Sequence, residues 1–146
     1  MFHIHAGAVI NKPIEEVFAF VADNENDPQW CVPVIETTRI VGDAPGANTR
    51  YSFTSDGGLL KLRGEFEITE FLPPSRIAWR GYSPFAHYEG YYALEEGEGG
   101  TRITTDIDFN NKILYRLLEG AMQKNFAKGY DEQFRQLKRL LEEGSL

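Results

Sequence analysis

Residues 60–69 read LKLRGEFEIT, so Leu60, Leu62, Phe66 and Ile68 fall in one register and Lys61, Arg63, Glu65 and Glu67 in the other. Successive side chains of a strand point to opposite faces, and this period of two predicts a strand with one covered and one wet face. Residues 101–110, TRITTDIDFN, repeat the pattern, with Ile103, Thr105, Ile107 and Phe109 opposite Arg102, Thr104, Asp106 and Asp108. Such alternation belongs to an antiparallel sheet. Between Val34 and Asn110, turn formers at 42–46, 56–58, 73–75, 83–84 and 97–100 separate six strands, at 34–41, 49–55, 59–71, 76–82, 86–95 and 101–110.

A sheet with one apolar face needs a cover. After Asn110 the chain reads as one long helix from Lys112 to Glu143, with Leu114, Leu117, Leu118, Met122, Phe126, Tyr130, Phe134, Leu137 and Leu141 as its apolar residues. At 100° per residue the residues of 114–121 and those of 126–141 centre on different directions, so the apolar stripe drifts around the axis. Gly120 and Gly129 each cost about 1 kcal/mol relative to Ala inside a helix, which predicts a bend or a close approach there. At the other end, Phe2 to Ile10 reads as a strand. A helix follows, with Asn11 as its cap, Pro13 in the first turn, and Ile14, Val17, Phe18 and Val21 on its buried face. Residues 23–34, DNENDPQWCVPV, are rich in turn formers and read as a short helix or loop pinned by Trp30.

With 146 residues and 42% apolar content, the chain fits a single domain spanning 1–146. Fifteen basic residues against 22 acidic ones leave a net charge of −7, and no basic stripe offers itself to phosphates, which argues against a nucleic-acid partner. No apolar run approaches the roughly 20 residues that span a bilayer, so stable membrane insertion is not expected. The first residues, MFHIHAGAVINKP, have no export pattern, and one cysteine excludes an internal disulfide, so a cytoplasmic location is expected.

Three local stretches carry a family resemblance: INKPIEEVFAFVADNENDPQW (10–30), EFLPPSRIAWR (70–80) and EGEGGTRITTDIDF (96–109). They resemble the Pro-started first helix with its downstream Trp, the Pro-Pro turn and the Gly-Gly-Thr hairpin of the START and plant-allergen Bet v 1-like (SRPBCC) superfamily. Its polyketide cyclase/dehydrase and lipid-transport-like branch is the best match. The resemblance covers the whole chain and implies an α+β helix-grip fold, a curved seven-stranded antiparallel sheet wrapped around the long C-terminal helix. It also implies a cavity between sheet and helix.

If the alternation holds, Tyr51 and Phe53, Leu62 and Phe66, Ile77 and Trp79, Tyr88 and Tyr92, and Thr105 and Ile107 face that covered side, joined by Trp30 and by Met122, Phe126 and Tyr130 of the helix. Aromatic rings with a polar tip suit a ligand site, because the ring supplies apolar area and the hydroxyl orients the guest. Gly64 and Gly90, in the same inward register, are expected to leave room where a side chain would stand. A packed core is the competing reading. Four inward tyrosines weigh against it, since each buried hydroxyl without a partner costs roughly 1 to 3 kcal/mol.

Other chemistry-bearing residues read as structural. His3 and His5 share a strand face without an identifiable third ligand, and His87 and Glu89 fall on the solvent side, so no metal is expected. Asp106 and Asp108 are expected in water opposite Lys61 or Arg63. Cys31 has no histidine placed to activate it and reads as a small filler. Asp131 and Arg135 stand at i,i+4 spacing on a solvated face. The expected function is binding of a small hydrophobic molecule (lipid, aromatic or polyketide-like) without a cofactor. The resemblance keeps open a cyclase/dehydratase with unassigned catalytic residues, and a protein-interaction module partnering a chaperone or toxin. A homodimer is left open.

Overall fold

A computed structural model describes residues 1–31, 34–56, 61–84, 86–111 and 113–144, without the side chains of 113–115. Strand β1 (Phe2–Ile10) leads into helix α1 (Ile14–Val21) and a 3-10 segment (Asn24–Gln29). Six strands follow: β2 (Val34–Val41), β3 (Arg50–Asp56), β4 (Lys61–Leu72), β5 (Arg76–Tyr82), β6 (Ala86–Gly97) and β7 (Gly100–Asn111). A second 3-10 segment (Ile113–Leu118) then precedes helix α2 (Glu119–Glu143). Leu59 and Leu60, expected to open the third of the six strands, and Lys112, expected to open the last helix, lie outside the described residues.

The strands form one antiparallel sheet in the order β1-β7-β6-β5-β4-β3-β2. Strands β2 to β7 are hairpin neighbours, whereas β1 pairs with the last strand, so α1 and the first 3-10 segment carry the chain from one edge to the other. The register shifts at Val34/Glu36 and Arg39/Val41 in the edge strand β2 and at Ile68/Glu70 in β4, as it does at bulges. The fold is the helix-grip expected: a seven-stranded sheet with a long C-terminal helix and short helices after the first strand.

The alternation seen in the sequence is the burial pattern observed: Ile103, Thr105, Ile107 and Phe109 are buried, as are Phe66 and Ile68. Helix α1 buries Ile14, Val17, Phe18 and Val21. Its N-cap position is Pro13, not Asn11, and no side chain caps it. Asn11 serves differently, donating its backbone N–H to Glu142 Oε2 at 2.8 Å and so tying the turn after β1 to the end of α2.

Three expectations are corrected by the tertiary arrangement. The terminal helix is α-helical from Glu119 only, with 3-10 geometry before it. Leu117 is 96% exposed, so the drifting apolar stripe is resolved by a change of helix type rather than by burial of every leucine. Asp106 and Asp108 do not face Lys61 or Arg63, because β7 lies between β1 and β6 and its outward carboxylates meet β1. Asp106 Oδ1 lies 2.9 Å from both His5 Nδ1 and His3 Nε2, and Asp108 Oδ1 lies 2.9 Å from His3 Nδ1. Arg135 pairs with Glu132 at 3.2 Å instead of with Asp131.

Candidate functional site: an aromatic cavity with a polar wall

Between the sheet and α2 lies a cavity of about 640 Å³, within the range of small-molecule sites. Its presence follows from how α2 meets the sheet. The helix buries Gln133, Phe134, Leu137, Leu140 and Leu141, all from its C-terminal half. Met122, Phe126 and Tyr130 are only partly buried and border the space instead.

Of the fourteen residues expected on the covered side, nine border the cavity: Phe53, Leu62, Phe66, Trp79, Tyr88 and Tyr92 from the sheet, and Met122, Phe126 and Tyr130 from α2; Ile77 and Ile107 are buried in the core. The other three stand behind the wall. Trp30 is fully buried and packs on Tyr92 and Phe134, with ring centroids 5.7 and 5.9 Å away. Tyr51 is also fully buried and stacks on Phe66 at 5.1 Å. Thr105 donates its hydroxyl to the Tyr91 carbonyl at 2.9 Å, so it serves the sheet.

The strand glycines do not leave the room expected of them. A Cβ on Gly64 would stand 2.5 Å from the Phe53 ring, and one on Gly90 would stand 2.7 Å from Ile107. Glycine at these positions lets a large neighbour lie flat across the strand, which sets the wall closer to the backbone.

The reading of residues 23–34 as turn chemistry missed the polar part of the site. Asn24, Asp27, Cys31, Thr37 and Gln133 all border the cavity. Asn24 Nδ2 donates to Asp27 Oδ2 at 3.3 Å, while Asn24 Oδ1, Asp27 Oδ1 and the Thr37 hydroxyl are buried without a partner. Gln133 Nε2 donates to the Tyr92 hydroxyl at 3.3 Å. A signal existed: in a 3-10 helix residues i and i+3 eclipse, so Asn24, Asp27 and Trp30 form one column, and a buried Trp30 implies inward neighbours. Gln133 likewise continues the stripe of Phe126 and Tyr130 at helical spacing.

Burial dominates the electrostatics of this wall. It raises the Asp27 carboxyl to about 8, against which the Asn24 hydrogen bond works only weakly, so the acid is largely neutral at pH 7. Burial also raises the Cys31 thiol well above its ordinary value, with Asp27 adding to the effect, which makes it a poor nucleophile. The hydroxyls of Tyr88, Tyr92 and Tyr130 are raised by burial as well and remain protonated donors. Among the described residues no group of three or more His, Cys, Asp or Glu side chains is arranged to hold a metal ion.

The family model for polyketide cyclase/dehydrase and lipid transport proteins matches residues 1–142. The chain belongs to that family. No curated protein matches its sequence. Solved structures of the same fold include a protein from Thermus thermophilus, 21% identical with a TM-score of 0.83, the match covering 99% of this chain and 100% of that one. The Zhui aromatase/cyclase from Streptomyces sp. R1128 is 14% identical with a TM-score of 0.75, covering 96% and 95%. DynU16, a protein of the dynemicin biosynthetic locus, is 18% identical with a TM-score of 0.73, covering 97% of this chain and 48% of its own. At such identities the likeness shows the shared fold, and the chemistry of this family member rests on its own cavity. Among its described residues no helix is long and apolar enough to cross a membrane.

Proposed function

We propose that the protein binds a small, largely apolar molecule between the sheet and the N-terminal half of α2. The observation that carries this reading is the aromatic cavity of about 640 Å³, walled by Phe53, Phe66, Trp79 and Tyr88 on one side and Phe126 and Tyr130 on the other. A guest that buries about 300 Å² of apolar surface gains roughly 7 kcal/mol before association costs, so micromolar affinity is the upper bound for a guest of that size. Family membership and the fold shared with an aromatase/cyclase agree with a guest of lipid or polyketide type. The buried tyrosines favour binding over proton abstraction. Their hydroxyls hold their protons and orient an oxygen or a ring rather than act as bases.

The test uses diphenylhexatriene, an uncharged hydrocarbon that fluoresces in apolar surroundings. One molecule should bind per chain with micromolar affinity, and Met122→Trp, which fills the space from the helix side, should weaken it by about tenfold or more. Absence of enhancement, or equal enhancement by the filled variant, overturns the reading.

A further inference from the structure

We infer that the wall formed by Asn24, Asp27 and Thr37 receives the ammonium group of an apolar amine, which makes the cavity a site for amphipathic amines. This deepens the binding reading above and rests on it. The first observation is a set of buried oxygens without partners on one stretch of the cavity wall. Asn24 Oδ1, Asp27 Oδ1 and the Thr37 hydroxyl are buried without partners, on a 3-10 segment and on β2, elements that pack against each other. Unpartnered buried oxygens each cost stability until a partner reaches them; Asn24 Oδ1 can only accept, and Asp27 Oδ1 accepts once its carboxyl is ionised. An ammonium carries three donors and no acceptor, whereas an alcohol brings one donor.

The second observation is the sign of the charge around the space. Asp27 borders the cavity, and among the described residues no Lys, Arg or His does. A carboxylate or phosphate head group would find no cation there to pair with. The walls add to the preference, because the faces of Trp, Tyr and Phe rings attract a cation that has left water.

The Asp27 carboxyl is largely protonated in the empty cavity. The groups that bear on it are Asp23 of its own segment, the Cys31 thiol, Tyr51 of β3, Tyr88 and Tyr92 of β6, and Tyr130 of α2. None of them supplies a positive charge. When an ammonium arrives, the carboxyl gives its proton to solvent and an ion pair replaces the neutral acid, one proton leaving for each amine bound. Binding therefore strengthens as pH rises towards about 8 and levels off until the amine itself loses its proton near 10.

The experiment is calorimetric titration of the wild-type protein with dodecylamine, dodecanol and dodecanoate, each below its micelle concentration, at pH 6 to 9 and in buffers of different ionisation enthalpy. Dodecylamine should bind about tenfold or more tighter than dodecanol at pH 8, with dodecanoate the weakest. About one proton should be released per amine at pH 7. Asp27→Asn keeps the size of the side chain and should bring the amine to the level of the alcohol. Proton release is read on the unaltered chain, so the outcome does not depend on that variant folding. If dodecanol binds and dodecylamine binds no tighter, or releases no proton, the amine site is overturned while the apolar cavity stands. If neither binds and diphenylhexatriene fails as well, both fall.

Discussion

The two halves of α2 belong to one continuous helix and do opposite work. From Gln133 to Leu141 it buries five side chains, and polar ties close its end: Lys138 Nζ donates to the Val9 carbonyl at 2.7 Å and pairs with Glu142 at 2.6 Å. From Glu119 to Tyr130 it buries none fully. That half is held by Phe126 against Phe2 and Phe109, by Gln123 Nε2 donating to the His3 carbonyl at 3.3 Å, and by an ion pair of Glu119 with the N-terminal amine. One half of the interior is thus solid and the other hollow. A site of this kind needs both, because the packed half fixes the helix while the other half holds space open at little cost in lost contacts.

The largest predicted effect tests the solid half. Leu137→Ala, at a fully buried position, should lower unfolding free energy by about 2–5 kcal/mol in urea titrations, whereas Met122→Ala beside the cavity should cost less than about 1 kcal/mol. Equal losses at the two sites would erase the distinction.

Asp27 sharpens the comparison from the hollow side. Its folded-state carboxyl lies near 8, above the unfolded value of 3.8, so between these pH values the folded chain holds a proton that the unfolded chain has lost. Its contribution to stability is fully present below about 4 and is lost as pH rises to about 8. Asp27→Asn should therefore gain on the wild type across that window, by an amount on the order of a few kcal/mol, and flatten the pH profile of the urea midpoint. A wild-type profile as flat as the variant's would contradict it.

A smaller effect is expected where the halves meet. Tyr92→Phe removes the hydroxyl that Gln133 donates to and should cost about 1 kcal/mol by thermal or urea unfolding, with the ring packing on Trp30 and Trp79 retained. Smallest of all is Gln123→Ala, whose bond to the His3 carbonyl is exposed. It should change global stability by less than about 0.5 kcal/mol while hydrogen exchange of amides 119–130 speeds up relative to 133–141.

The alternating registers of β4 and β7 made the covered face legible. The Pro-started helix, the Pro-Pro turn and the Gly-Gly-Thr hairpin made the family legible. Most of the aromatic wall followed from those two facts. Trp30, Tyr51 and Thr105 show where this reasoning stops: a position on the covered face can look into a cavity or be spent on a neighbouring ring or carbonyl, and strand parity does not separate the two. The partners of Asp106 were misjudged for a related reason, since alternation gives the face of a residue but not which strand lies beside it. His3 and His5 became its neighbours only once β1 paired with β7.

Local order was therefore written in the chain: where strands begin and turn, which face is greasy, which face of α1 is buried, and that a long amphipathic helix must cover the sheet. These depend on periodicity and on the backbone preferences of Pro and Gly, which act over a few residues. Only the tertiary structure decided that the cover is tight at Leu137 and open at Met122, and that Asn24 and Asp27 turn inward to give a greasy chamber a polar wall. Both outcomes depend on how far a bent sheet stands from a rigid helix, and that separation is set by many distant side chains at once.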